Sequence, residues 1–389
     1  MAAYTNYRRD PRVRRQAESL VDAGYRVVFL ASRQRGEPHR ESIDGVDVIK
    51  APGLGNRKTS IVVYIADYLM FTAAIMWHLM LHPRRYRLIH INNMPDFLVF
   101  GAWLPRLLGV PVIHDVHDLM PELFAEKFDG RRAGAILSII RAQERWAGRF
   151  ASAVLTVEDR LKDILAARGT PRSRIHVLMN LPDDRIFAPR EPKPCHAGTR
   201  FVIVYHGTLA YRLGLDIAVR AVALIRSAIP DIELRIIGGG EERDSLIALR
   251  EQLGLGGAVT FSDGFVPVQA IPPLIADADV GLCPLRISGG TDIMLPTKLL
   301  EYVAVGIPCI VPRTRTIARY FDDQMVQFFE AESVESLAQA LLCLYRDPGR
   351  RTALADAATE RFGKTHRWSV HKAVYLKLVA GLIGPSAAR

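Results

Sequence analysis

Two successive rounds of strand-then-helix patterning, split by the proline- and charge-rich stretch APREPKPCHAGTR at 188–200, constrain this chain more than any single residue does. In the first round, Asp10 and Pro11 precede a helical stretch whose apolar members Val13, Ala17, Leu20 and Val21 share one face. Gly24 ends it, and YRVVFLAS and DVIKAP read as strands. A long helix over 61–82 follows, then RLIHIN, a helix through 96–108, VPVIHDV, a helical region at 131–149, SAVLTV, a helix at 158–168 and IHVLMN. The second round opens with FVIVYHG and a helix at 214–228, then IELRIIGGG and a helix at 241–253. AVTFSD, a helix at 268–277, ADVGLCP, a helix from near Pro296, IPCIVP and helices over 333–346 and 350–360 complete it. Neither round shows a hairpin signature. Each therefore predicts a parallel sheet covered by helices on both faces.

A chain of 389 residues exceeds the roughly 250–300 at which one core stops growing, so two domains are expected. With 49% hydrophobic and 24% charged residues it is a folded, not a disordered, chain. Its formal charge of +10 favours anionic partners. The cations gather in short groups, Arg8, Arg9, Arg12, Arg14 and Arg15, then Arg84, Arg85 and Arg87, which suit a membrane-facing or solvated surface better than a nucleic-acid groove. Cys195, Cys283, Cys309 and Cys343 form no CxxC, and a reducing compartment fits them. The opening MAAYTNYRRDPRVRR has no apolar signal-peptide core. The run from Ile61 to His82 is nearly long enough to span a bilayer, but Asp67 and His78 argue for a helix between sheet and solvent, or one resting on a membrane.

The beginning is unusual. A doubly wound domain opens with a central strand, whereas here a polar segment leads straight into a helix. Either another segment fills that position or the sequence starts downstream of the natural start. At the other end, RWSVHKAVYLKLVAGLI has helical periodicity after the second round should have closed.

Several segments in order resemble the retaining glycosyltransferases of family 4, which have the GT-B fold. DPRVRRQAESLVDAGYRVVFL resembles their first helix and second strand, and VPVIHDVHDLMPE their middle acceptor-domain segment. YHGTLAYRLGLDIAVRAV, IIGGGEE and LPTKLLEYVAVGIPCIVP resemble the successive donor-domain segments. The resemblance implies two Rossmann-like α/β domains with parallel sheets facing across a cleft. Residues 1–190 would be the acceptor-side domain, its first strand missing, and 195–360 the nucleotide-sugar domain. Residues 361–389 would form a helix crossing back to the first domain.

Glu301 is the leading site residue. A helix starting near Pro296 aims its N–H groups at a diphosphate, and Glu301, about a turn further in, suits ribose hydroxyls. Glu301 matches the second glutamate of the family's E-x7-E pattern. The first position holds Ile293, which leaves the sugar to Thr291, Asp292 or the backbone of Ser288, Gly289 and Gly290, with Leu295 nearby. Gly207 and Thr208, after a strand, permit close approach to phosphate. Arg212 and Lys298 supply positive charge, since the family's usual lysine is Leu213 here. Gly239, in the run Gly238–Gly240, borders the donor in the family. Phe265 and Val266 resemble its base-holding segment. In the first domain His117 matches the family's histidine near the transferred sugar. Asp118 and Glu122 are candidates to orient it or touch the acceptor, while Asn92, Asp96 and Arg12 are candidates for the same wall. His114, Asp115, His117 and Asp118 also permit a metal reading, but their spacing matches no zinc motif.

The expected function is retaining transfer from a nucleoside-diphosphate sugar to a glycan or lipid-linked acceptor, with neither metal nor cofactor required. An anionic membrane surface is a candidate partner and nucleic acid is not. The expected location is cytoplasmic, peripheral on the inner face of the membrane. A non-hydrolysing nucleotide-sugar epimerase is the alternative enzyme, and a non-catalytic nucleotide-sugar-binding partner the alternative from another class.

Overall fold

The structure, a computed structural model, describes residues 1–34, 36–52, 61–127, 131–189 and 200–384. The expected linker lies outside them except for its ends, and so does Cys195. The chain forms two compact units, one of Met1–Asn180 with the segment from Ser369 onward, the other Leu181–Trp368. The first unit thus ends before residue 190, and residues 361–368 belong to the second.

In the first unit Asp10 caps helix α1 (Pro11–Asp22), its carboxylate accepting the Arg12 and Val13 amides, with Pro11 in the first turn. Strand β1 (Val28–Ser32) follows, then β2 (Arg40–Ile43) and β3 (Val46–Ala51). Here the all-parallel expectation fails, because β2 and β3 pair antiparallel. Asp44 at φ 49° and Gly45 at φ 78° supply the two left-handed positions of a tight hairpin turn. An Asp-Gly pair is the sequence signature of such a turn.

Helix α2 (Ile61–Leu81) leads to β4 (Ile89–Asn92). The helix expected through 96–108 is a 3-10 stretch, Asp96–Ala102, running into the short α3 (Trp103–Leu107). Strand β5 (Val112–Val116), α4 (Met120–Lys127), α5 (Arg131–Phe150), β6 (Ala153–Thr156), α6 (Asp159–Ala167) and β7 (Ile175–Val177) complete the run.

The sheet order is β2-β3-β1 and β4-β5-β6-β7, and Ala2 joins the two halves through parallel bridges to Leu30 and Ile91. The Ala2 amide donates to the His90 carbonyl at 2.8 Å, the Leu30 amide to the Met1 carbonyl at 2.9 Å, and the Asn92 amide to the Ala2 carbonyl at 2.9 Å. Residues 1–3 therefore occupy the central position. The strand expected to be missing is present in short form.

Asp67, Phe71, Ile75 and Leu79 recur every fourth residue and form the buried stripe of α2. The last three pack on Leu98, Val99 and Ala102. Asp67 lies inward because the Tyr4 hydroxyl donates to its carboxylate.

The second unit contains β8 (Phe201–His206), α7 (Leu215–Ile225), β9 (Ile232–Ile237), α8 (Arg243–Gln252), β10 (Val259–Phe261), α9 (Ile271–Ile275), β11 (Val280–Leu282), α10 (Thr297–Val305) and β12 (Cys309–Pro312). Two elements without a counterpart in the sequence reading follow, α11 (Ile317–Tyr320) and β13 (Gln327–Phe329), then α12 (Val334–Arg346) and α13 (Pro348–Ala358). The six strands are ordered β10-β9-β8-β11-β12-β13 and all neighbours are parallel. Counting β8 first, this is the 3-2-1-4-5-6 order of dinucleotide-binding sheets. All of β8 is buried, as a strand with helices on both faces must be. The final helix, α14 (Trp368–Ile383), returns the chain to the first unit, where the Lys372 ammonium meets Asp22 at 2.7 Å.

Candidate functional site

In such sheets ligands bind outside the carboxyl ends of the strands where the order reverses. For the second unit that point lies between β8 and β11. Gly207 follows β8 at φ 119°, and Gly238 follows β9 at φ 137°. A Cβ on Gly238 would stand 1.9 Å from the Gly207 carbonyl oxygen, and one on Gly240 2.1 Å from that of Leu209. The glycine run is thus what lets the two loops pack backbone on backbone. Gly239 lies against the Gly264–Phe265 backbone, 3.6 Å from the Phe265 amide nitrogen by the same measure. The Phe265 ring itself is 66% exposed, and Val266 beside it is half-buried.

Helix α10 starts one residue later than expected, with Pro296 as its cap residue and no side chain capping it. Gly306 at φ 76° ends it. On its first turn Lys298 reaches over Gly207, its Cε 3.5 Å from where a Cβ would stand, and its ammonium lies 4.8 Å from the centre of the Tyr205 ring. One turn on, Glu301 Oε2 is 3.3 Å from His206 Nε2. The end of β8 and the start of α10 therefore bring His206, Gly207, Lys298 and Glu301 together. The Glu301 side chain is only 15% exposed.

Thr208 is exposed, and its carbonyl accepts the Tyr205 hydroxyl at 2.6 Å. Arg212 is exposed on the 3-10 turn Tyr211–Leu213, near enough for its charge to act on Tyr205. Leu213, where the family has lysine, is buried.

Around 288–292 the candidate donor contacts hold the loop itself. Thr291 Oγ1 donates to the Arg286 carbonyl at 2.5 Å and accepts the Ser288 amide at 2.7 Å. Asp292 accepts the Arg315 amide at 2.8 Å. Gly289 and Gly290 form the turn between them, Leu295 is half-buried, and Ile293 is packed inward.

In the first unit the reversal lies between residues 1–3 and β4. His117, just past β5, is buried there; its Nε2 is 3.0 Å from Asn92 Oδ1, and its amide donates to Asn93 Oδ1 at 3.0 Å. Asn92 Nδ2 donates to the Ala2 carbonyl, so Oδ1 is the acceptor and Nε2 carries the imidazole hydrogen. Nδ1 has no hydrogen-bond partner and faces Asp115 Oδ1 at 3.5 Å. Burial, reinforced by the charge of Arg12, pushes His117 down to about 3, so the ring is neutral.

Burial opposes the charge on Asp115, but His117, His90 and Gln16 together hold it below the ordinary carboxylate range. His90 Nε2 and Gln16 Nε2 stand 3.1 and 2.8 Å from Asp115 Oδ2. Asn93 Nδ2 also ties Asp96, at 3.0 Å, to the Asp118 carbonyl at 2.8 Å. Asp118 is exposed, whereas Asp96 is buried beside His114. Glu122 is engaged by Arg168, which also binds the buried Glu144 at 3.0 Å.

The structure thus gathers Arg12, Asn92, Asp96, His117 and Asp118, and sets Glu122 in a separate ion-pair network. Sequence reasoning missed His206, Tyr205, His90 and Gln16. A polar residue ending the all-apolar run of β8 was the available signal for His206. Among the described residues no group of His, Cys, Asp or Glu is arranged to hold a metal ion.

The glycosyl transferase 4-like domain matches residues 10–180, and glycosyl transferases group 1 matches residues 190–361. The chain is 27% identical over 256 residues, 64% of its length and 67% of the other, to a GDP-mannose-dependent alpha-(1-6)-phosphatidylinositol monomannoside mannosyltransferase of Mycolicibacterium smegmatis. It is 30% identical over 207 residues to a 2-deoxystreptamine glucosyltransferase of Streptomyces kanamyceticus, a match spanning 50% of this chain and 52% of that enzyme. Sucrose-phosphate synthase from Thermosynechococcus elongatus superposes over 100% of this chain and 99% of its own with TM-score 0.79 at 18% identity. The chain belongs to glycosyltransferase family 4. It has the GT-B fold of two Rossmann-like domains, and glycosyl transfer is its function.

Proposed function

We propose that this enzyme moves a sugar, with retention at the anomeric carbon, from a nucleoside diphosphate to a lipid-linked or glycan acceptor at a membrane surface. The observation that carries the donor half is the open amide end of α10 with Lys298 over Gly207 and Glu301 one turn further in. That geometry supports diphosphate at the helix end and ribose at Glu301. When the bond between the anomeric carbon and the phosphate oxygen breaks, negative charge grows on the departing diphosphate. Lys298, Arg212 and the α10 amides offset that charge, with no metal ion called for.

The acceptor hydroxyl attacks from the face the diphosphate leaves and passes its proton to a phosphate oxygen, so no protein nucleophile takes part. His117, neutral and with its Nε2 hydrogen given to Asn92 Oδ1, orders the polar residues at the strand ends of the first unit rather than acting as an acid.

The acceptor half rests on α2. Among the described residues Val63–Leu81 is the one helix long and apolar enough, by length and composition, to cross a membrane, but Asp67 and its buried stripe bind it to the unit. Its outer face exposes Ile65, Leu69, Met76, Trp77, Met80 and Leu81. Arg84, Arg85 and Arg87, all exposed, follow at its end. Apolar side chains beside cations suit an anionic bilayer surface, and the mycobacterial relative's name specifies a phosphatidylinositol-based acceptor.

A panel of UDP-, GDP- and ADP-sugars with membrane extract, following released nucleotide and labelled product, tests the reading. Transfer of label into lipid with one donor is expected. Epimerised donor with no labelled product would overturn it.

A further inference from the structure

We infer that His206 is a positioning residue for Glu301, donating from Nε2 to hold that carboxylate ready for a nucleoside's ribose. The inference rests on the donor reading above, and it concerns a side chain outside the family pattern.

His206 ends β8 and is 5% exposed. Its ring is fixed by its neighbours: Tyr302 packs edge-on against it with centroids 5.1 Å apart and planes at 84°. Tyr302 is itself held, since its hydroxyl donates to the Val204 carbonyl at 3.1 Å. A Cβ on Gly281 would stand 2.5 Å from that tyrosine ring, so the packing there is close. With the imidazole locked in this way, Nε2 lies 3.3 Å from Glu301 Oε2 and has no hydrogen-bond partner in its present orientation. A buried N–H without a partner is costly, and Glu301 Oε2, 3.3 Å away, is an acceptor within its reach.

Burial and the charge of Lys298 hold His206 near 3, so the ring is neutral. That neutrality matters for function. An arginine or lysine here would neutralise the carboxylate and compete with the ribose. A neutral imidazole fixes one oxygen and leaves the carboxylate's negative charge to attract the ribose hydroxyls. Preorganisation of this kind is gained before the ligand arrives.

The test uses the full chain and titrates UDP, GDP and ADP, with the corresponding 2′,3′-dideoxynucleoside diphosphates and inorganic pyrophosphate as probes without ribose hydroxyls. His206→Phe keeps a ring against Tyr302 but removes the donor, and His206→Gln restores an N–H at similar reach. Thermal melts confirm that each variant is folded. The expected result is about a 10-fold weaker ribonucleotide affinity in His206→Phe. His206→Gln should recover most of it, and pyrophosphate and the dideoxy compounds should be unaffected. In a Glu301→Ala background, His206→Phe should cost nothing further.

If Glu301→Ala binds all nucleotides as the parent does, or none of the three nucleotides binds the parent, the donor reading fails. If Glu301→Ala weakens binding but His206→Phe does not, this inference alone fails. It fails equally if the two losses add, because His206 would then act through the fold and not through Glu301.

Discussion

The Tyr375 hydroxyl on α14 lies 2.9 Å from His90 Nδ1 on β4, a bond between residues 285 positions apart in a fully buried setting. His90 Nε2 faces the Asp115 carboxylate, which can only accept, so Nε2 carries the hydrogen and Nδ1 accepts from the tyrosine. The last helix is thereby joined through His90 to Asp115, whose other oxygen lies 3.5 Å from His117 Nδ1. Tyr375→Phe leaves a buried imidazole nitrogen unpaired, and an expected loss of about 1–2 kcal/mol should appear in urea unfolding of the first unit. Turnover should fall by several-fold while nucleotide affinity stays constant. An unchanged unfolding midpoint would mean that α14 is held by its apolar contacts alone.

Acid should weaken the first unit through His117. Its folded value of about 3 lies below the ordinary 6.5, so between those limits the unfolded chain binds a proton that the folded chain refuses. Stability is therefore lost as pH falls from 6.5 toward 3. Glu144 acts in the opposite sense: burial raises it to about 7 from 4.5, so its contribution is lost as pH rises through that window. Denaturation midpoints from pH 4 to 8 should show His117→Gln flattening the acid side and Glu144→Gln the neutral side. In assays, His117→Ala should cut transfer by about 10- to 100-fold with little change in nucleotide affinity. A loss of both in parallel would place the histidine in binding, not in transfer.

Backbone contact between the Gly207 and Gly238 loops leaves no room for a methyl group. Gly238→Ala adds a Cβ 1.9 Å from a carbonyl oxygen at a φ of 137°, which an L side chain rarely adopts. The loops must separate, and an expected cost of about 3 kcal/mol should be accompanied by loss of nucleotide binding. Gly254→Ala is a matched control. It shares a left-handed φ of 63°, yet a Cβ there meets nothing within 4 Å, so it should cost about 1 kcal/mol and leave binding intact.

Strong periodicity made most of this architecture readable. The buried runs that became β8 and β9, and the amphipathic α1 and α7, were found because one pattern of apolar residues fits one element. What escaped was short or set by tertiary contact. Strand β13 is three residues long, too short to show a period, and only one of the four residues of β2 is buried. The central strand at residues 1–3 is too brief to show a period, and only its hydrogen bonds to β1 and β4 reveal it.

The meeting of Glu301, Lys298 and Gly207 was legible from spacing on a helix and at a strand end. The loop bonds of Thr291 and Asp292 were not, because whether a polar side chain faces a ligand or its own loop depends on its partners, here the Arg286 carbonyl and the Arg315 amide. His206 was hidden for the same reason: its meaning comes from Glu301, on another element.

The outer face of α2 offers the most direct check on where the enzyme works. Trp77 is 66% exposed at the arginine-bearing end of the helix, and Trp103 and Leu107 on neighbouring α3 are exposed as well. Contact with lipid would bury these apolar groups, while each nearby arginine adds about 1 kcal/mol on an anionic leaflet. Trp77→Ser with Leu81→Ser should weaken binding to phosphatidylglycerol vesicles by about 10-fold or more without changing the thermal melt, because neither side chain belongs to the buried stripe. Replacing Arg84, Arg85 and Arg87 by glutamine should instead steepen the loss at low salt and matter little at high salt, where the charges are screened. Binding that survives both sets of changes, or a parent enzyme that ignores anionic vesicles at low salt, would place the acceptor in solution and leave the apolar face of α2 to another partner.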